Sequence, residues 1–165
     1  MKKTALISLS IFAFIALLAW LGSSGARNPV VAGYSDSSLS APVNSFDFET
    51  ISMEDGDVEH NFELTNNGTE PVVITKVYTS CMCTTAYIYD SAGNEYGYFG
   101  MQGHGRSPVA NVTVQPGESA TVRAVFDPAA HGPSGIGLAS RNIYLETNSS
   151  HSPKMELSFR AMVTR

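Results

Sequence analysis

The chain has 165 residues, the length of one ordinary domain, and carries ten Lys plus Arg against fifteen Asp plus Glu, a formal charge of −5. This acidic balance excludes the basic footprint that nucleic acids require. Hydrophobic residues make up 43% and charged ones 15%, which excludes a wholly disordered chain, and two Cys are too few for a disulfide scaffold.

Lys2 and Lys3 precede an apolar run, Ala5 to Leu21, in which only Ser8 and Ser10 are polar. As a helix it would span roughly 25 Å, near the lower limit for crossing a bilayer. Residues 1–26 therefore read as a signal peptide, with the small residues Ser24-Gly25-Ala26 as its cleavage site, or as an uncleaved membrane anchor with Trp20 at the far interface. Both readings place the rest of the chain outside the cytoplasm, whether periplasmic, secreted or at the cell surface. Residues 27–45 are rich in Ser, Gly, Ala and Pro and read as a flexible linker.

From Phe46 onward the apolar residues alternate with period two, the mark of half-buried strands. Phe46 and Phe48 share a face. So do Val58, His60, Phe62 and Leu64, with Glu59, Asn61, Glu63 and Thr65 opposite. Asn66-Asn67-Gly68 predicts a turn through positive-φ residues, and Pro71–Thr79 reads as a central strand. Pro116-Gly117-Glu118 predicts a second tight turn, between Asn111–Val114 and a strand with Ala120, Val122, Ala124 and Phe126 inward. Ile143 and Leu145 mark a further strand, and Met155, Leu157, Phe159, Ala161 and Val163 line one face of the last. The pattern predicts an all-β, immunoglobulin-like antiparallel β-sandwich of seven or eight strands over residues 46–165, with no helix after residue 26.

A set of motifs recurs in one order: Phe46-Asp47-Phe48-Glu49-Thr50-Ile51, the Val58-to-Gly68 alternation, Pro71-x-x-Ile74 and Ser80-Cys81-x-Cys83-Thr84. Pro116-Gly117-Glu118-Ser119, Phe126-Asp127-Pro128, Arg141-x-Ile143 and Leu145-x-Thr147-Asn148 complete it. Over residues 46–163 this resembles the bacterial family called domain of unknown function 1573, itself similar to the immunoglobulin-like domains of pilus chaperones and cilia-associated proteins. The resemblance implies a sandwich fold and an extracytoplasmic setting, and brings no established activity. The chain departs from the family pattern twice: Cys81-Met82-Cys83 stands where Cys-Gly-Cys is usual, and the stretch from Asp90 to Ser107 is long.

Those departures surround the one place where the sequence carries chemistry. If Cys81 and Cys83 close an extended strand, both thiols project on one face with Cα atoms about 6.5–7 Å apart, at the edge of disulfide geometry. Two thiolates on one side suit a soft metal, copper first and zinc as the alternative. Met101 and His104, in the glycine-rich loop from Gly93 to Gly105, are the candidate further ligands, with Met82 and His131 as weaker ones. The rival readings are two small apolar side chains at a strand end and a thiol–disulfide redox pair. The latter needs an activating group that the neighbouring sequence does not supply. His60 reads as a core histidine. The acidic turn of Glu54, Asp55 and Asp57 reads as a solvated hairpin, since it lacks the rest of a calcium loop.

No catalytic motif is present. The sequence thus predicts a non-enzymatic binding or adaptor domain of the cell envelope with a protein or envelope partner, touching the membrane through residues 5–21 if these are kept. The alternative is a copper-binding or thiol-redox protein built on the Cys-Met-Cys motif and the Met/His loop.

Overall fold

The computed structural model describes residues 33–165, so the expected signal or anchor segment and the start of the linker lie outside the described residues. Ten strands follow in chain order: β1 (Leu39–Ser40), β2 (Ser45–Ser52), β3 (Val58–Asn66), β4 (Val72–Thr79), β5 (Thr84–Tyr89), β6 (Glu95–Phe99), β7 (Val109–Val114), β8 (Ser119–Phe126), β9 (Gly137–Thr147) and β10 (Lys154–Thr164). They form two five-stranded sheets, ordered β1-β3-β8-β5-β6 and β2-β10-β9-β4-β7. Two strands more than the upper expectation are present. β1 and β6 lie in stretches whose Ser, Pro and Gly content reads as linker and loop. Among the described residues the only helical elements are two 3-10 turns, Met53–Asp55 and Gly132–Gly135, and no helix is long and apolar enough to cross a membrane.

The period-two residues meet between the sheets. Phe62 and Leu64 of β3, Ala120, Val122, Ala124 and Phe126 of β8, and Leu157, Phe159, Ala161 and Val163 of β10 are all buried. Each large side chain in this layer contributes about 1.5–3 kcal/mol through apolar area removed from water. β4 breaks the alternation. Val72, Val73 and Ile74 are all buried, and a bulge at Thr75 shifts the register against both β7 and β9, so that Ile74 and Val77, three positions apart, are both buried.

One pair of strands corrects the antiparallel expectation. β2 runs parallel to β10, with Phe46 beside Phe159 and Ile51 beside Val163. A parallel pair needs a long connection, and nearly the whole sandwich lies between these two strands. Their register slips between Arg160 and Met162, where Glu49 adopts φ 59° and the Asp47 carboxylate accepts from the Glu49 N–H at 2.9 Å.

The turn after β3 forms, though by a different device from the one expected. Neither Asn67 nor Gly68 has a positive φ. Instead Asn66, wholly buried, accepts from the Gly68 N–H at 3.0 Å, so its side chain closes the turn. Gly117, at φ 78°, does supply the left-handed position expected of the turn before β8.

Residues 33–45, within the stretch read as a flexible linker, are docked. Ser35 pairs with Ser149, and Leu39 pairs with Asn66, so this short segment is tied both to the connection after β9 and to β3. Ser35, Ser37 and Leu39 are buried, and the Ser37 hydroxyl accepts from the N–H groups of Thr69 and Glu70 at 3.0 and 2.9 Å. Composition suggests a tether because serine side chains that satisfy buried backbone N–H groups look the same in sequence as solvated ones.

Candidate functional site

β4 ends at Thr79, and the chain then turns instead of continuing extended. Thr84 N–H donates to the Cys81 carbonyl at 3.2 Å, and the buried Thr79 hydroxyl reaches the carbonyls of Cys81 and Thr84 at 2.9 and 3.1 Å. This turn brings the Cα atoms of Cys81 and Cys83 to 5.3 Å, well inside disulfide range, and the two sulfurs are bonded. The extended geometry expected from the sequence does not hold, because the backbone folds at Met82-Cys83.

Two other segments are fastened to this turn. Ser80 N–H donates to the Asn142 carbonyl at 2.9 Å, and Asn142 N–H donates to the Ser80 hydroxyl at 2.9 Å. This pairing sets the neighbouring Arg141 of β9 against the cysteines, and its Nε donates to Cys83 Sγ at 3.0 Å. On the other side, Asp127 N–H donates to the Cys83 carbonyl at 3.0 Å. The Asp127 carboxylate then accepts from Ala129 N–H at 2.8 Å, and Gly132 N–H donates to the Ala129 carbonyl at 2.8 Å. The resulting turn carries His131 over the disulfide, with Nε2 3.2 Å from Cys81 Sγ. Cys83 is buried, Cys81 half-buried and His131 exposed, and the three ligating atoms lie within 4.8 Å of one another.

The structure therefore brings together Cys81, Cys83 and the weaker candidate His131. His104 is not part of this cluster and lies in an exposed turn, where its N–H donates to the Met101 carbonyl at 3.3 Å. Met101 forms a parallel bridge with Thr79, which fastens the glycine-rich stretch near its C-terminal end beside the end of β4. Met82 is 62% exposed. Arg141 is the residue that sequence reasoning missed. Its place in the Arg141-x-Ile143 motif was visible, but nothing in the spacing puts it next to a cysteine 58 positions away.

A second feature lies at one side of the sandwich. The edge strands β6 and β7 flank a groove of about 460 Å³ lined by Tyr96, Tyr98, Phe99, Arg106, Val109 and Ala110. Tyr98 adopts φ 47°, and the Arg106 guanidinium lies 3.1 Å from the centre of its ring. The Asp90 carboxylate accepts from the hydroxyl of the groove residue Tyr96, and from Ala92 and Asn94. Hydrogen bonds, the Asn94 side chain first, hold its pKa below the usual carboxylate value.

Comparison with known proteins bears on the first of these features. Residues 39–94 match the model of the family described as Protein of unknown function (DUF1573). The match is confined to this stretch, which is less than half of the chain. It runs from β1 to the Asp90–Asn94 turn, so the DUF1573 match includes both cysteines and neither His131 nor Arg141. No curated protein matches the chain. A crystal structure of a protein of unknown function from Porphyromonas gingivalis W83 is 16% identical with a TM-score of 0.56, covering 82% of this chain and 51% of that one. The chain thus spans about half the length of that protein, and the likeness shows the shared fold alone. The ASH / PapD-like domain 7 of human CEP192 is 18% identical with a TM-score of 0.43, over 87% of this chain and 92% of that one. At that score it adds nothing to the fold assignment.

Proposed function

We propose that the chain is a non-enzymatic, extracytoplasmic β-sandwich of immunoglobulin-like type that binds a protein or other component of the bacterial cell envelope. The observation that carries this reading is the rim between β6 and β7, where two sheet edges border one aromatic groove. An edge strand offers unpaired N–H and C=O groups to an incoming strand, and flanking aromatic and Arg side chains supply the contacts that dominate interface energies. The apolar run after Lys2 and Lys3 supports export, and the DUF1573 match brings no activity with it.

The test is site-specific crosslinking in a bacterial host. The full-length chain carries a photoreactive residue in place of Tyr98, with a second version labelled at Glu118 on the turn before β8 as control. Recovery of one envelope component from the Tyr98 position alone supports the reading. Crosslinks that are equal at both positions, or fractionation of the chain to the cytoplasm, overturn it.

A further inference from the structure

We propose that Cys81, Cys83 and His131 form a copper(I) site that the disulfide closes and reduction opens. The three ligating atoms already lie within 4.8 Å of one another, with Cys81 Sγ 3.2 Å from His131 Nε2. In the disulfide each sulfur is bonded to the other, and neither carries the thiolate charge that a metal takes. Reduction by a dithiol breaks the Cys81–Cys83 S–S bond. Two electrons and two protons pass from the dithiol, which leaves as its own disulfide, and two protein thiols remain. Copper(I) then displaces both thiol protons to solvent and takes two thiolates and the neutral imidazole.

The charge of the surroundings selects the metal. Two thiolates and an imidazole around copper(I) carry a net charge of −1, and Arg141, donating to Cys83 Sγ at 3.0 Å, neutralises it. Around zinc(II) the same set is neutral, which leaves the guanidinium uncompensated beside a dication. Zinc also prefers four ligands, and the cluster offers three. Access is one-sided. Cys83 is 3% exposed, whereas Cys81 and His131 lie toward solvent, so the metal enters over the His131 turn.

The scaffold is built from three separate parts of the chain. Ser80 with Asn142 holds one side of the site, and Asp127 with the Cys83 carbonyl holds the other, so the ligands do not depend on the glycine-rich loop. Nothing in this inference requires the envelope partner proposed above.

The experiment titrates copper(I) into the full-length protein against a chromophoric copper(I) chelator, once after reduction by a dithiol and its removal, and once oxidised. The reduced protein is expected to take one copper(I) per chain and the oxidised protein to bind at least 10-fold more weakly. Cys81→Ser and Cys83→Ser abolish stoichiometric uptake, and His131→Ala weakens it. Arg141→Gln keeps every ligand and weakens uptake roughly 10–100-fold, the range for outer partners of a metal site. Where a cysteine variant fails to fold by circular dichroism, alkylation of the reduced natural protein replaces it and must block uptake. A reduced, folded protein that takes no copper(I), an oxidised one that takes as much, or unchanged affinity in His131→Ala overturns the proposal. Preferential uptake of zinc(II) overturns the choice of metal.

Discussion

The side-chain amide of Asn66 donates to the Val114 carbonyl at 2.9 Å and thereby ties β3 of one sheet to β7 of the other. The same amide donates to the Glu70 carbonyl at 2.8 Å, and its oxygen accepts from Gly68 N–H. Asn66→Ala leaves these groups without the partner they have now, in a site with no exposed surface. The expected loss is about 2–4 kcal/mol, read as a lower midpoint in urea unfolding with unchanged slope. A loss below about 1 kcal/mol would show that water replaces the amide.

Gly68 and Leu39 test the docked segment. A Cβ on Gly68 would come within 3.1 Å of the Ser37 backbone, a contact that only displacement of residues 35–40 relieves. Gly68→Ala is therefore expected to speed proteolytic cleavage within residues 33–45. Leu39→Ala, which empties a buried site, is expected to do the same and to cost roughly 2–4 kcal/mol. Unchanged cleavage in both variants would return this segment to the linker reading.

His60 gives the fold a pH dependence of predictable sign. Its ring stacks on Phe46 at 3.7 Å between centroids and meets Phe62 edge-on at 4.7 Å, and burial lowers its pKa from the ordinary imidazole value. The unfolded chain then takes up the proton at a higher pH than the folded one. This contribution to stability is present above about pH 6.5, declines as the pH falls below it, and is lost once the lowered folded value is passed. The melting temperature should fall between pH 7.5 and 5.5, and fall less in His60→Phe. Equal slopes for the two proteins would remove His60 from the explanation.

Glu49 occupies the left-handed region at φ 59° inside the β2 bulge, a conformation glycine adopts without steric cost. Glu49→Gly is expected to stabilise the domain by up to about 1 kcal/mol. The gain is limited because glycine also loses more freedom on folding. Glu49→Val should destabilise it by at least about 1 kcal/mol, since a β-branched residue fits this region worst. Chemical unfolding of the pair, with opposite signs expected, decides the matter.

Reduction of Cys81–Cys83 should leave the domain folded. The bond closes a loop with one residue between its ends, and in the chain-entropy account so short a loop contributes only about 1.5 kcal/mol. Thermal melts with and without reductant should differ by a few degrees. A collapse of the transition on reduction would make the disulfide structural.

The sheets were legible because their signal is local. The inward rows of β8 and β10, from Ala120 to Phe126 and from Leu157 to Val163, follow from period-two burial whatever the strands pair with. The pairing itself was not legible. The parallel course of β2 beside β10 depends on how the two chain ends of the sandwich meet, and no residue of β2 records that direction. Asn66 was read as a turn former, and it is one, but its role between the sheets needs Val114, 48 positions away.

The amino-acid sequence by itself determined that residues from Phe46 onward alternate into strands and that the only two thiols sit two positions apart, since both properties belong to neighbours along the chain. Tertiary structure alone decided that His131, 50 positions from Cys81, and Arg141, 58 from Cys83, stand against that pair, while His104 does not join them. Backbone hydrogen bonds from Asp127 and Ser80 make that choice, and a donor and acceptor from distant strands leave no periodic trace in a sequence.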